Sequence, residues 1–394
     1  MPDDQLSPRA LGRALLARQH LLARAPAESD GAAAAERLVG HLVGLQAQNP
    51  TSPYLALWSR LEGFAPAHLA ATLADRRTAR VAAMRSTVHL LTARDALALP
   101  VLTARTLSRE TRGLSAAELD RIAVRARELL ERTPMRPNQL GPALAPELPH
   151  VPPNNLAYAA RCLLSLVQVT PRGQWGASMA TTWTTTESWF APETVAAAPD
   201  VQDPDVRAEV VGDLVLRYLA AFGPASVADV QAWSGLTRLA PVVQALGDRV
   251  VHLRPLTASA GRNRTVLLDV PDAPRPDEDT PAPVRLLPDF DNVVLSHADR
   301  TRIVPEDVRR RLVTPNGSGP GTVLVDGQVG GVWRLRRERG TAGIRAPGSV
   351  TLLVEPFVAL SHQQRDELDA EAHGVLALLA GDVEDRRVEV AAAS

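Results

Sequence analysis

The chain has 394 residues, of which 45% are hydrophobic, and its 43 basic side chains face 44 acidic ones, for a formal net charge of −1. Lysine does not occur in it, which excludes a phosphate-binding P-loop as well as pyridoxal enzymes and lyases that need a lysine Schiff base. Arginine suits phosphate oxygens and guanine edges, although a GC-rich genome also favours arginine over lysine. Because the charges balance, nucleic-acid contact would have to come from local clusters.

The cysteine content and the N-terminal sequence indicate where in the cell the protein is expected. The single cysteine, Cys162, lies in an apolar run, where we expect a buried thiol, and one cysteine cannot form a disulfide within the chain. The N-terminus has no cationic start followed by an apolar stretch, and no window reaches 18 uncharged apolar residues. We therefore expect a cytoplasmic protein without membrane contact, built from two to four packed units.

The first unit, residues 1–92, predicts helices followed by a strand. Apolar residues at helical spacing indicate three helices: one after Ser7-Pro8, one over Ala32–Gln46 and one after Thr51. From Val81 to Leu91 the period changes to the alternation of a strand, which places Arg85, Thr87 and His89 on one face. Helices followed by such a ribbon are typical of a winged helix.

The same order of elements is predicted again in residues 93–192 and 204–271. The second unit has predicted helices over Ala93–Arg112, Ser115–Arg132, Asn138–Ala145 and Asn154–Leu166. The third has two helices separated by Gly223-Pro224, a further helix and a hairpin whose tip carries Arg262 and Arg264. These arginines are candidates for contact with the DNA backbone, and the alternative for this unit is a small helical scaffold with no nucleic-acid role.

Residues 272–283 form a proline-rich acidic stretch that we expect to be an extended, solvated linker. Residues 284–394 predict a β-rich region with a terminal helix over Gln363–Leu379. Its predicted strands are Val284–Leu287, Val293–Leu295, Val323–Val325, Val329–Trp333 and Val350–Val354. Asp326-Gly327 predicts a two-residue hairpin turn between two of them.

Two groups of charged residues in this region are candidates for a functional site, one for DNA contact and one for metal binding. Arg334, Arg336 and Arg337 are candidates for contact with the DNA backbone, or else form a solvated face. Four potential metal ligands lie between Asp289 and Asp299, but this is a weak signal, and we expect turns and salt bridges with Arg300 and Arg302 rather than a metal site.

Five motifs, in this order along the chain, carry a resemblance to a known family: Gly44–Pro50, Met84–Leu90, Arg217–Ala225, Leu286–Asp291 and Ser296–Arg300. They resemble the AlkZ-like family of bacterial DNA glycosylases over roughly residues 7 to 335. The resemblance implies an α+β chain of three tandem winged-helix (helix-turn-helix) units and a β-rich C-terminal region, forming a C-shaped molecule. It also implies a catalytic Gln-apolar-Gln motif, here Gln46-Ala47-Gln48. Another branch of the family has aspartate at the third motif position, so Gln48 resembles the branch associated with bulky alkylpurine adducts and interstrand crosslinks.

The chemistry is consistent with two glutamines. An amide is a poor base, but an N3- or N7-alkylated purine already carries positive charge and leaves as a neutral base. Gln46 and Gln48 could orient a water and direct their carbonyl dipoles at an oxocarbenium-like sugar. We expect them at the end of the second helix, where helix capping is the alternative role.

Three nearby side chains are expected to line the same groove. Thr87 and His89 could hold a phosphate or a water, with Arg85 as an anion clamp, although a structural role for His89 is the alternative. Without lysine, a lyase step would need the terminal amine, with Pro2 as a candidate after removal of Met1.

The sequence thus predicts a monomeric, monofunctional DNA glycosylase that needs no cofactor and excises cationic N-alkylated purines from double-stranded DNA. One alternative is a non-catalytic winged-helix DNA-binding protein or transcriptional regulator. Another is an interaction module whose winged helices bind protein, for which DNA affinity would show little dependence on salt.

Overall fold

The computed structural model describes residues 5–104, 111–256, 266–312, 319–339 and 347–393. Its α-helices are α1 (Pro8–Arg18), α2 (Gly31–His41), α3 (Ser52–Trp58), α4 (Pro66–Ala74), α5 (Ala93–Thr103), α6 (Ala116–Arg132), α7 (Pro137–Leu144), α8 (Pro153–Leu163), α9 (Thr186–Trp189), α10 (Pro192–Ala196), α11 (Pro204–Phe222), α12 (Val227–Ser234), α13 (Ala240–Leu246), α14 (Asn292–Leu295), α15 (Glu306–Arg309) and α16 (His362–Leu379). Its strands are β1 (Gln5–Leu6), β2 (Leu45–Gln46), β3 (Thr78–Ala82), β4 (Val88–Thr92), β5 (Leu166–Gln168), β6 (Trp183–Thr185), β7 (Val251–Pro255), β8 (Leu267–Asp269), β9 (Arg285–Leu287), β10 (Gly321–Val325), β11 (Gln328–Arg339), β12 (Pro347–Pro356) and β13 (Arg386–Val390). The mixed α and β composition is as predicted.

One order of elements occurs three times: a helix, a short strand or bridge, two helices and two antiparallel strands. The first copy is α2, β2, α3, α4, β3 and β4. The second has α6, a bridge from Met135 to Trp183, α7, α8, β5 and β6. The third has α11, a bridge from Ala225 to Leu268, α12, α13, β7 and β8. In each copy the short strand or bridge pairs with the last strand, so the three copies share connectivity as well as order.

Two of the three copies are joined through a common sheet. The first two share one sheet, ordered β2-β4-β3-β5-β6, in which Val81 pairs with Val167. The third belongs to a sheet ordered β1-β7-β8, and the C-terminal region forms a five-stranded sheet ordered β13-β12-β11-β10-β9. Helix α16 packs on this last sheet, with Leu368 and Val375 in the same hydrophobic cluster as Leu352.

Serine caps explain where several helices begin. The hydroxyl oxygens of Ser7, Ser115 and Ser226 accept hydrogen bonds from the free backbone N–H groups of the first turns of α1, α6 and α12. In α6 and α12 the carboxylate of Glu118 or Asp229 accepts a hydrogen bond from the backbone N–H of the capping serine. Such caps satisfy donors that a helix cannot pair internally, and they place these helices close to the predicted positions.

The second helix ends earlier than predicted. The apolar spacing over Ala32–Gln46 predicts one helix, but α2 ends at His41, and Val43 and Gly44 have positive φ angles of 51° and 92°. Glycine suits this reversal, because the φ of Gly44 is positive and a Cβ there would press on the Leu91 side chain. The prediction of a helix to Gln46 is therefore wrong, and Gln46 lies in a strand.

Two strand predictions also fail. The alternation from Val81 to Leu91 is not one strand but a hairpin, in which the turn Met84–Ser86 separates β3 from β4. The apolar run predicted as a strand at Val293–Leu295 is the short helix α14, capped by the Asp291 carboxylate. For a short apolar run such as Val293–Leu295, periodicity alone does not separate a strand from a helix.

The C-terminal turn and the linker agree better with expectation. Asp326 and Gly327, with φ angles of 48° and 81°, turn the chain between β10 and β11 as predicted. Residues 272–283 contain no helix or strand, but they are not fully solvated, because Arg18 and Arg13 donate hydrogen bonds to their backbone oxygens.

The single cysteine is less buried than expected. Cys162 is only half-buried and borders a cavity of about 240 Å³.

A single hydrophobic cluster connects the first copy, the third copy and the start of the C-terminal region. It contains Leu57, Trp233 and Val293 among its buried members. The helices of the second copy have a cluster of their own, with Leu130 and Leu156 fully buried. Among the residues that the structure describes, no helix is long and apolar enough to cross a membrane.

Candidate active site

Gln46 is the last residue of β2 and pairs with His89 of β4. Its side chain is largely buried, with 9% of the residue exposed. The amide oxygen Oε1 accepts a hydrogen bond of 3.1 Å from Nη2 of Arg85. Since a guanidinium only donates, this contact determines which end of the amide faces Arg85.

Gln48 lies just beyond the end of β2 and is exposed. The backbone N–H of Ala47 donates to the carbonyl of Val88 at 2.8 Å, and the N–H of Val88 donates to Oε1 of Gln48 at 3.2 Å. The glutamine side chain thus takes the place of a backbone acceptor after the strand ends. The amide oxygens of both glutamines are therefore held by donors of the β3–β4 hairpin.

Arg85 occupies the turn between β3 and β4, in the left-handed backbone region. Its Nη1 donates to the carbonyl of Trp233 at 2.6 Å, and its Nη2 lies 3.4 Å from Oδ1 of Asn292 as well as near Gln46. Burial, together with the positive charge of Arg300, lowers the pKa of Arg85 to about 10. The guanidinium remains charged at neutral pH, but it is directed at protein acceptors, which differs from the exposed anion clamp predicted.

The sequence predicts Arg85, Thr87 and His89 on one open face of a strand. The structure does not bring them together on such a face. The hydroxyl of Thr87 donates to the carbonyl of Met84 at 3.2 Å. His89 is completely buried, and its Nδ1 lies 3.1 Å from the carbonyl of Thr87. Burial, aided by the charge of Arg85, lowers the pKa of His89 to about 3, so the ring is neutral. In this arrangement His89 reaches no groove.

A segment of the C-terminal region supports the chain on both sides of the glutamines. Nδ2 of Asn292 donates to the carbonyl of Gly44 at 3.2 Å, before Gln46. The hydroxyl of Ser52, after Gln48, donates to the carboxylate of Asp289. Sequence reasoning missed Asn292 as a site residue, because the only signal was its place directly after a family-like motif.

The acidic residues of this segment have structural partners, although not all of the predicted ones. Asp291 forms a buried ion pair with Arg60 rather than with Arg300 or Arg302. Arg302 instead donates to the carbonyl of Pro224. Among the described residues, no group of three histidine, cysteine, aspartate or glutamate side chains is arranged to hold a metal ion.

Comparison with known proteins assigns the family. The family model described as DNA glycosylase AlkZ-like matches residues 39–378. The chain belongs to the AlkZ-like family of DNA glycosylases. The solved structure of Streptomyces sahachiroi DNA glycosylase AlkZ aligns over 98% of this chain and 100% of that chain, with a TM-score of 0.74 and 20% sequence identity, which shows a shared fold. The search of curated proteins gave no match.

An AlkZ-like glycosylase acts on DNA, so the location of the predicted backbone-contacting arginines matters. Arg334 and Arg336 are exposed on the face of β11 opposite buried Trp333, as the alternation predicts. Arg336 pairs with Glu338 and Glu389, and Arg337 donates to the carbonyl of Leu379.

Arg334 differs from these two arginines because its side chain has no hydrogen bond or ion pair within the described parts of the chain. It borders a cavity of about 260 Å³ together with Asn49, the neighbour of Gln48. Arg262 and Arg264 lie outside the described residues. Among the arginines predicted to contact the DNA backbone and described by the structure, Arg334 therefore lies next to the glutamine segment with an unpaired side chain.

Proposed function

We propose that this AlkZ-like protein is a monofunctional glycosylase that hydrolyses the N-glycosidic bond of cationic N-alkylated purines in double-stranded DNA. The observation that carries the proposal is that the amide oxygens of Gln46 and Gln48 each accept from a fixed donor in the β3–β4 hairpin: Arg85 in its turn and the N–H of Val88 in β4. An amide oxygen has two lone pairs. Each oxygen can therefore accept a second hydrogen bond, from a water molecule in the site.

The reaction needs little proton transfer. The bond from C1′ to N9 of the alkylated purine breaks, its electron pair leaves with the base, and the base becomes neutral. The water oxygen attacks C1′ and its proton passes to solvent. Gln46 and Gln48 would hold the water and stabilise the positive charge that develops on the sugar. His89 is not needed as an acid, in keeping with its burial and lowered pKa.

We infer that the three copies of the helix and strand order are winged helices, within units of residues 1–92, 93–192 and 204–271. A linker over residues 272–283 would lead into the β-rich region at 284–394. The shared connectivity, in which the short strand or bridge pairs with the last strand of each copy, supports this interpretation. A C-shaped arrangement of these units around DNA would leave the site open, as bulky adducts or interstrand crosslinks would require.

Mass spectrometry of the products tests the reaction. With enzyme in excess over duplex DNA that contains 7-methylguanine, we expect free 7-methylguanine and an intact abasic strand. A bulkier N7 adduct, run in parallel, tests the wider substrate class. No release of either base, despite tight binding, would contradict the proposal.

One observation favours the second candidate, a DNA-binding protein or regulator without catalysis. Gln46 is 9% exposed, so only a small part of its amide is open to a substrate. Such a protein would keep the salt-dependent phosphate contacts, with a log–log slope of roughly 0.9 per contacted phosphate, but would tolerate loss of both glutamines.

A further inference from the structure

We propose that Arg85 and Asn292 are positioning residues that hold Gln46 in its working orientation. The orientation of Gln46 would then depend on the third copy and on the C-terminal region, as well as on the first copy, to which Gln46 belongs. This inference rests on the proposed role of Gln46 in base release.

The guanidinium of Arg85 joins three parts of the chain at one point. From the turn between β3 and β4, Nη1 reaches the carbonyl of Trp233 in α12, and Nη2 reaches Oε1 of Gln46 and Oδ1 of Asn292. A planar fork can meet acceptors in such fixed directions, whereas the single ammonium of lysine cannot replace it. The contact with Trp233 anchors the fork from outside the first copy.

Asn292 closes the arrangement from the other side. It is 5% exposed and begins α14 directly after the capping residue Asp291. Its Nδ2 donates to the carbonyl of Gly44, two residues before Gln46, while its Oδ1 lies within 3.4 Å of Arg85. The same side chain therefore contacts the backbone that leads into Gln46 and the guanidinium that orients its amide.

The chemistry of these groups also fixes the amide orientation. The guanidinium can only donate, so Oε1 of Gln46 must face Arg85 and Nε2 must point elsewhere. Without Arg85, the two orientations of the amide would differ little in energy, and the oxygen would not be held for a water. An error of about 1 Å in such a group can cost about 100-fold in rate.

The competing role for Arg85 is direct contact with a DNA phosphate. The largely buried guanidinium and its protein acceptors argue against that role. The two roles differ in what they change: a positioning residue affects the rate of base release through Gln46, whereas a phosphate contact affects affinity and its dependence on salt.

The experiment compares Arg85→Lys and Asn292→Ala, each made in the parent protein and in the Gln46→Ala variant. Single-turnover release of 7-methylguanine and DNA affinity are measured over a range of salt concentrations. We expect the rate to fall about 10- to 100-fold in the parent background, with unchanged affinity and salt slope, and no further fall in the Gln46→Ala background, because coupled residues are not additive. Arg161→Lys is the matched control, since Arg161 donates to the carbonyl of Ser86 in the same turn, and its rate should equal that of the parent.

Several results would overturn the inference: an unchanged rate, losses that add to that of Gln46→Ala, or a salt slope reduced by about one contact. A second measurement does not depend on activity. In protein labelled with ¹⁵N-glutamine, the side-chain amide signal of Gln46, identified by its loss in Gln46→Ala, should shift in Arg85→Lys and stay in place in Arg161→Lys. If the parent releases no base, the proposed function fails, while this signal still decides whether Arg85 holds the amide.

Discussion

Arg60 and Asp291, 231 residues apart in sequence, form a buried ion pair with two hydrogen bonds, of 3.0 and 2.8 Å. Both side chains are almost inaccessible to solvent. Arg60 follows α3, and Asp291 caps α14 next to Asn292. The pair therefore fixes the C-terminal region against the first copy, close to the segment that carries the glutamines.

Replacing Arg60 with methionine should destabilise the protein strongly, because the carboxylate of Asp291 would stay buried without its partner. We expect the free energy of unfolding to fall by about 3–5 kcal/mol, measured by urea denaturation. The control is Arg37→Met, which removes an exposed pair with Glu28 and should cost no more than about 1 kcal/mol. Similar small losses in the two variants would show that Arg60 is not buried as described.

Stability should decrease in mild acid because two buried histidines cannot be protonated in the folded state. Burial lowers the pKa of His89 and of His297 to about 3, whereas a histidine in the unfolded chain titrates near 6.5. Between these values the unfolded state binds more protons, so the free energy of unfolding falls as the pH is lowered from about 6.5 towards 3.

We expect each of these histidines to account for a loss of about 1.6 kcal/mol between pH 6.5 and pH 5. Urea denaturation across this range should therefore give a flatter pH profile for His89→Asn than for the parent, and a flatter one still when His297 is also replaced. Parallel profiles for parent and variants would contradict the assignment.

Gln48→Glu should be far less harmful than Gln48→Ala. A glutamate keeps oxygen acceptors for the N–H of Val88 and for a water, and its charge would favour a positive sugar. We expect single-turnover base release within about tenfold of the parent. A glutamate variant as inactive as the alanine variant would mean that the Nε2 donors, rather than the oxygens, carry the function.

The abasic product should remain uncleaved. The chain has no lysine to form a Schiff base, so treatment with borohydride during turnover should trap no covalent complex with DNA. A trapped complex that disappears when the terminal amine is blocked would instead assign a lyase step to the N-terminus.

Local sequence signals predicted much of the fold, because they act within a few residues. Serine caps such as Ser115 and Ser226, and the turn at Asp326-Gly327, placed helices and a hairpin close to their observed positions. The boundary after His41 could not be found this way. Leu45 and Gln46 suit a helix by their spacing, and only their pairing with β4 makes them a strand.

The sequence indicated candidate residues for the site, but it did not indicate their contacts. The resemblance to a known family indicated Gln46 and Gln48, yet the partners that hold Arg85 and Gly44 are 148 and 248 residues distant in sequence. Periodicity contains no information about such contacts. The same limit explains why the burial of His89, which follows from the pairing of three strands, was not foreseen.

Whether Gln46 and Gln48 act in base release is decided by single-turnover release of 7-methylguanine from duplex DNA by the parent, Gln46→Ala and Gln48→Ala at one salt concentration, with DNA affinity measured alongside. We expect release by the parent and a loss of at least about 100-fold in each variant, with DNA affinity retained. Release that persists at the parental rate in both variants would contradict this expectation.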